Sequence, residues 1–315
     1  MTFSADKEAR VFVAGHRGLV GSAILRNLQE RGHKNLLLRT HGELDLANQA
    51  AVNRFFDAEK PQYVILAAAK VGGIKANYDE RATFLAENLS IQTNVIMAAE
   101  KTRVKKLLFL GSSCIYPKFA PQPIKEESLL TGALEMSNEA YAIAKIAGLK
   151  LCQYLNEMGR MRAISAMPTN MYGPGDNYHP DKSHVIPGML GKFHKAKKEG
   201  LPWLELWGTG SPLREFLYSD DCAEALLVLM DRYDEPQTIN VGSGQELSIK
   251  ELAQLIADTV GFTGEVRFNP QYPDGTPRKL LSSERINALG WRARISLKEG
   301  LRRAYQWALD NNALD

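Results

Sequence analysis

An α/β fold, a doubly wound parallel sheet with a smaller C-terminal α/β lobe, is predicted for this chain by three observations. The first is an apolar run, Val11-Phe12-Val13-Ala14, that breaks into glycines at 15, 18 and 21 and resumes as a helical stretch through Leu28. The second is a pair of runs, Tyr63 to Ala69 and Lys106 to Leu110, that are almost wholly apolar, as strands covered on both faces must be. The third is the helical length of chain between successive runs. Strand and helix alternating at this spacing make a parallel sheet whose ligands sit at the strands' carboxyl ends. At 315 residues, 44% hydrophobic and 24% charged, the chain has material for two domains of ordinary soluble composition. The net charge of +3 is too small to imply a nucleic-acid partner and suits a small anionic ligand. Met1 to Arg10 is polar and no apolar run is long enough to span a bilayer, so neither a leader nor a membrane anchor is expected. Cys114, Cys152 and Cys222 have neither metal nor disulfide spacing, so no metal site and a reducing, cytoplasmic setting are expected.

The turn after the first strand reads Gly15-His16-Arg17-Gly18-Leu19-Val20-Gly21. Glycines three apart let the backbone turn tightly, admit a pyrophosphate to the amides of a helix N-terminus, and pack helix on strand. These residues are therefore read as the dinucleotide loop of a Rossmann-type sheet, with Gly15, Arg17, Gly18, Leu19, Val20 and Gly21 as contacts. Such a sheet reads the adenosine ribose at the end of its second strand, here Asn35 to Leu38. An acid there would favour NAD. Arg39-Thr40-His41 stands there instead, with Arg17 as a second cation for a 2′-phosphate, so NADP(H) is expected, with Arg39 and His41 at the phosphate. Asp45 is placed to accept a hydrogen bond from the adenine amine, and the small Ala67, Ala68 and Ala69 let a cofactor lie close. A helix from about Tyr78 to Ala99 leads to the fourth strand, which breaks into Gly111-Ser112-Ser113-Cys114-Ile115-Tyr116-Pro117 at the mouth of the site.

Tyr141 and Lys145 open the next helix four residues apart and share a face. There an ammonium favours phenolate over phenol and makes the Tyr a proton donor and acceptor near neutrality, a shift of about three units or roughly 4 kcal/mol. Alone the pair is a weak pattern, and the glycine loop and Ser112 give it meaning. Ile164 to Met167 reads as a further strand, after which Gly, Pro, Asp, Asn and His dominate residues 173–184 and mark a long functional loop. Ser248 and Glu251 form a capping box. Read by themselves, Cys114 is a small buried hydrophobe, His184 a loop hydrogen-bond donor, and Lys192 to Lys198 a solvated basic helix face.

These features together make the chain resemble the extended short-chain dehydrogenase/reductases that act on nucleotide sugars. The likeness runs the whole length, through Gly208-Thr209-Gly210, Arg214-Glu215-Phe216 and Leu289-Gly290-Trp291. Ala67 through Ile74, Gly111 through Pro117, Asn177-Tyr178-His179-Pro180 and Ser183 through Pro187 look like the GDP-L-fucose synthase family. That resemblance implies a GDP-sugar substrate, epimerisation at sugar carbons 3 and 5, and NADPH reduction at carbon 4. It gives Ser112 a hydrogen bond to the ketone oxygen and Cys114 and His184 proton transfer. Tyr141 stabilises the enolate and protonates the alkoxide, while Lys145 depresses the Tyr pKa and holds the nicotinamide ribose. It further implies that Pro168, Asn170, Met171 and His184 border the cofactor, and that Ser113, Asn170, Lys192, Trp207, Arg214 and Lys279 meet sugar, diphosphate or base.

Two positions depart from the family pattern, which often has Arg at both. His41 is mostly neutral at pH 7, and Lys192 lacks the bidentate fork. A 4-epimerase or 4,6-dehydratase that keeps NAD bound is the nearest alternative, and the cations at 17 and 39 and the Ser112-Ser113-Cys114 run argue against it. A non-catalytic NADP-sensing module need not keep Tyr141 and Lys145. The expected division is 1–168 for the cofactor and 169–315 for the GDP-sugar, with parts of about 207–242 packing back on the first. The Tyr141 helix stays apolar on more than one face through Ile146, Leu149, Leu151, Cys152 and Leu155, so a homodimer is expected.

Overall fold

Apolar runs buried at every position build the central sheet. In a computed structural model that describes residues 2–179, 183–272 and 274–314, the first half runs β1 (Val11–Ala14), α1 (Leu19–Glu30), β2 (Leu36–Leu37), α2 (Gln49–Glu59), β3 (Tyr63–Leu66), α3 (Ile74–Asp79), α4 (Arg81–Lys101), β4 (Lys106–Leu110), α5 (Glu139–Glu157) and β5 (Ala163–Pro168). Alternate strand residues face opposite sides. Val11, Val13, Ile65, Leu108, Ile164 and Ala166 enter one core, and Phe12, Ala14, Val64, Leu66, Leu107 and Phe109 enter the other. Helices α2, α4 and α5 cover the second core, and α1 lies on the first.

The second half runs β6 (Asn170–Tyr172), α6 (Val185–Lys198), β7 (Trp203–Trp207), β8 (Leu213–Tyr218), α7 (Ser219–Arg232), β9 (Ile239–Val241), β10 (Glu246–Ser248), α8 (Ile249–Val260), β11 (Glu265–Asn269), β12 (Arg278–Lys279), α9 (Glu284–Ala288) and α10 (Leu297–Asp310). Its β9 leaves the second lobe and completes the first sheet, which is parallel throughout with order β2-β1-β3-β4-β5-β9. Helix α7 supplies Leu226, Leu227, Leu229 and Met230 to the core beside α1, and Ile286 and Trp291 join them from beyond residue 242. Lys106 fixes that helix: its buried ammonium donates to the carbonyls of Leu229, Met230 and Tyr233 at 2.9, 2.8 and 2.6 Å, where the helix dipole is negative. The rest of the second half forms a small sheet, with β8 antiparallel to β10 and parallel to β6 and β12, a β7–β11 pair, and a core under α6, α8 and α10.

Three expectations shift in detail. The second strand is two residues rather than four, and Ala67 to Ala69 lie past the end of β3. The helix expected from Tyr78 is two helices, broken at Glu80, whose ψ of 29° leaves the helical range. Among the described residues no helix is long and apolar enough to cross a membrane.

Candidate active site

The sheet order reverses between β1 and β3, and the glycine loop sits in that crevice. Gly15 holds φ +84°, and a Cβ there would lie 2.7 Å from the Ala68 amide nitrogen; one at Gly21 would collide with the Gly15 carbonyl. Both positions therefore admit only glycine. Gly18 caps α1 with no side-chain hydrogen bond, and its amide donates to Gly15 at 3.0 Å. The first-turn amides of α1 are thus left for an anion. Exposed Arg17 stands beside them, while Leu19 and Val20 begin the helix. Across the crevice Asn88 pins the chain after Ala67-Ala68-Ala69, accepting from Lys70 N at 2.9 Å and donating to Lys70 O at 3.0 Å.

The ribose end is tied more tightly than its sequence suggests. Arg39 forms an ion pair with Glu59 at 2.6 Å, donates to Leu38 O at 2.8 Å and lies 5.4 Å over Phe55. His41 and Asp45 are exposed and 3.9 Å apart, and Asp45 accepts from the Ala47 amide at 2.9 Å.

At the carboxyl end of β4 the Ser112 hydroxyl caps a short turn, accepting from the Cys114 amide at 3.4 Å. Ser113 and Cys114 are buried and line a cavity of about 40 Å³ with Glu135, Asn138, Arg278 and Lys279. From α5, Lys145 donates to the Leu110 carbonyl at 2.8 Å, with its ammonium 5.7 Å from the Tyr141 ring centre and 4.8 Å from that of Phe109. Ser112, Cys114, Tyr141 and Lys145 are therefore one cluster, with Lys279 reaching it from β12. The expected depression of the Tyr141 pKa is corrected here. Burial, and then Cys114, hold the half-buried phenol above its ordinary range, while burial brings Lys145 down to about 8. Burial also raises the Cys114 thiol, opposed by Lys279, a Ser112 hydrogen bond and Lys145.

His184 caps α6, and partial desolvation lowers its pKa although the residue as a whole is exposed. No hydrogen bond joins its ring to Cys114 or Tyr141 among the described residues, and Pro180 of the neighbouring motif lies outside them. Pro168 ends β5, Met171 packs beside the core, and Asn170 donates to the Glu215 carbonyl at 3.1 Å. A second group gathers where α6 meets β7: the Lys192 ammonium lies 5.3 Å from the Trp207 ring centre, and Trp207 stacks on Tyr272 at 4.5 Å. Asp274 clasps Thr209 through its amide at 2.9 Å and hydroxyl at 2.7 Å, and its charge offsets the burial that lowers the Arg214 pKa.

Sequence reasoning passed over Asp274 and Asn88, and named Glu215 only as part of a shared segment. Glu215 is buried, its pKa raised by burial, and it accepts from the Gly244 and Leu281 amides at 2.7 and 3.1 Å, fastening the segments around the site. A charged residue between the apolar positions of a strand was the available signal. A larger open groove of about 510 Å³ between α8 and α10, lined by Leu255, Asp258 and Arg302 among others, holds none of these residues and lies in the second lobe only.

The family model described as "NAD dependent epimerase/dehydratase family" matches residues 11–242. The chain is 59% identical to GDP-L-fucose synthase 1 of Arabidopsis thaliana over 98% of this chain and 95% of the relative. It is 52% identical to the GDP-L-fucose synthase of Escherichia coli over 96% and 97%. A solved GDP-L-fucose synthetase from Naegleria fowleri bound to NADP superposes with a TM-score of 0.89 at 30% identity, covering 96% of this chain and 95% of that one.

Proposed function

The chain belongs to the NAD dependent epimerase/dehydratase family, and from that premise we propose that it carries GDP-L-fucose synthase activity. It epimerises GDP-4-keto-6-deoxy-D-mannose at sugar carbons 3 and 5 and reduces carbon 4 with NADPH. One observation carries the reading: a thiol, Cys114, sits in the same cluster as Ser112, Tyr141 and Lys145. A reductase needs the last three, and an enzyme that also moves protons on carbon needs a further acid and base.

The glycine-only positions 15 and 21 and the uncapped first turn of α1 fit a dinucleotide pyrophosphate, and Arg17 and Arg39 fit a 2′-phosphate. NADPH, when bound, supplies the hydride for carbon 4. Ser112 hydrogen-bonds the ketone oxygen and, with Tyr141, stabilises the enolate that forms when a proton leaves carbon 3 or 5. Cys114 and His184 remove and return those protons on opposite faces. Tyr141, held as neutral phenol by burial, has a proton to give to the carbon-4 oxygen at the end. Lys145, fixed on Leu110, orients the site and holds the ribose. Asn170, Met171 and Pro168 border the cofactor. Lys192, Arg214 and Trp207 take diphosphate and base, with Ser113 at the sugar.

The same reading divides the chain into a cofactor part, 1–168, and a substrate part, 169–315, working in the cytosol as a homodimer. The exposed Ile143, Tyr154 and Met158 on and just after α5 support a subunit contact there.

The test is deuterium incorporation at carbons 3 and 5 from deuterated water, alongside NADPH oxidation. Cys114→Ser should cut exchange by about 10²–10⁴-fold, because a hydroxyl is a far poorer acid and base. Tyr141→Phe should slow NADPH oxidation severely while exchange persists. Unchanged exchange at both carbons in Cys114→Ser would sink the epimerase assignment.

A further inference from the structure

Reduction and proton transfer hang on different parts of the fold. Ser112 follows directly on β4, and Tyr141 and Lys145 ride on α5, which Lys145 itself fastens to the Leu110 carbonyl of β4 at 2.8 Å. Cys114 instead opens a strap, residues 114–126, that leaves β4 and reaches β9, the last strand of the sheet. One side chain of β9 grips that strap at two points. Buried Asn240 donates from Nδ2 to the Ile124 carbonyl at 3.0 Å and accepts at Oδ1 from the hydroxyl of buried Tyr116 at 2.6 Å. A carbonyl can only accept, so Ile124 fixes which way the amide points, and the phenol must be the donor. The Asn240 backbone amide donates to Glu126 Oε1 at 3.0 Å, so the strap also covers the outer edge of β9. Past this grip it is sewn to the chain after β12, with Ile124 N donating to Leu280 O at 2.7 Å and Ser282 N to Ile124 O at 2.8 Å.

We propose that Asn240 and Tyr116 are positioning residues for Cys114, holding its thiol in place against the groups that carry out reduction. The catalytic consequence rests on the roles given above to Cys114, Ser112 and Tyr141. Tyr116 lines the same cavity as Cys114 and turns its hydroxyl to Asn240. Two residues of extended chain span at most about 7 Å, so pinning the phenol confines the thiol. On the β4 side the strap is held loosely: Ile115 N to Ser112 O is 3.3 Å, Cys114 N to Ser112 Oγ 3.4 Å and Tyr116 N to Ser113 O 3.5 Å. These lie at or beyond the long end of the hydrogen-bond range, whereas the Tyr116–Asn240 bond is short. The firm hold on the cysteine's segment therefore comes from β9, and the hold on Ser112, Tyr141 and Lys145 from β4 and α5.

The experiment reads the configuration of the product rather than its amount. Full-length parent and Tyr116→Phe are run with NADPH and GDP-4-keto-6-deoxy-D-mannose, and proton NMR resolves the reduced sugars at carbons 3 and 5. Removing the hydroxyl leaves Asn240 Oδ1 buried without its donor and frees the strap. The share of reduced product that keeps the starting configuration at carbon 3 or 5 should rise by about two- to tenfold, the range set by one net hydrogen bond. A residue that only stabilises the fold would lower every product alike, so an unchanged share overturns the proposal. Amide hydrogen exchange over residues 113–118, followed by mass spectrometry without nucleotide, should quicken in Tyr116→Phe by a similar factor, and a strap that exchanges as slowly as the parent's also overturns it. Should Tyr116→Phe fail to fold, both measurements are made on Asn240→Ser, which removes both side-chain bonds and keeps the ring, with the same outcomes. A parent that yields no product inverted at carbon 3 or 5 removes the synthase reading and with it the catalytic consequence, while amide exchange still decides the grip. An unchanged share in Tyr116→Phe beside lost carbon exchange in Cys114→Ser removes the positioning role alone.

Discussion

At Asp176 the Asn177 amide donates to Oδ1 at 2.8 Å, while Oδ2 is buried with no partner. Burial pushes this carboxyl up to about 7. In the unfolded chain it titrates near ~3.9. Between those values the folded protein holds a proton that the unfolded chain has lost, so stability falls as pH rises through the window and the cost is complete above about 7. Asp176→Asn keeps the uncharged form at every pH. Its melting temperature should exceed the parent's at pH 8, by less at pH 5, and converge with it below about pH 4; the same offset throughout would show that the buried charge is not the cause. The spacing of Tyr141 and Lys145 disclosed a shared helix face for the same reason that it concealed their ionisation. Four residues fix direction on a helix, but depth of burial depends on Phe109, Leu110 and Cys114, which arrive from another part of the chain.

Helix α2 reaches back over the end of β2, and its Glu59 holds Arg39 in a pair whose side chains are each 33% exposed. A 2′-phosphate would have to share that guanidinium. Arg39→Asp should weaken NADPH by about ten- to a hundredfold more than NADH, from a charge-assisted contact of roughly 1.5–3 kcal/mol. Glu59→Gln should act the other way and tighten NADPH by up to about fivefold, since a half-exposed pair is worth ~0–1 kcal/mol. Fluorescence titration with both cofactors reads the two variants, and equal loss of NADH and NADPH in Arg39→Asp would remove Arg39 from the phosphate. The elements themselves were legible because each is specified within about ten residues, by continuous apolar runs in β1, β3 and β4 and by the capping box of Ser248 and Glu251 on α8. The break at Glu80 was not, since neither Gly nor Pro marks it. The Asn88–Lys70 and Thr209–Asp274 clasps join residues 18 and 65 apart, distances over which only topology decides who meets whom.

For the whole molecule, the exposed apolar residues on α5 and its end, Ile143, Tyr154 and Met158, lead to an expected dimer. Light scattering at micromolar concentration should give twice the chain mass, and Tyr154→Arg should shift the protein toward monomer; a strictly monomeric parent would refute the contact. The return of β9 to the first sheet has a consequence for synthesis. β5 receives its outer partner only when Ile239–Val241 has been made, and the core beside α1 receives Leu226, Leu227 and Leu229 only with α7. Three fully buried leucines represent roughly 1.5–3 kcal/mol each. A nascent chain that has completed residue 168 therefore carries an unpaired strand edge and an uncovered apolar face until some seventy more residues emerge, roughly 4 to 15 seconds at ribosomal speeds of about 5–20 residues per second. For that interval the half of the protein that holds the glycine loop exposes the kind of edge and apolar face on which aggregation starts.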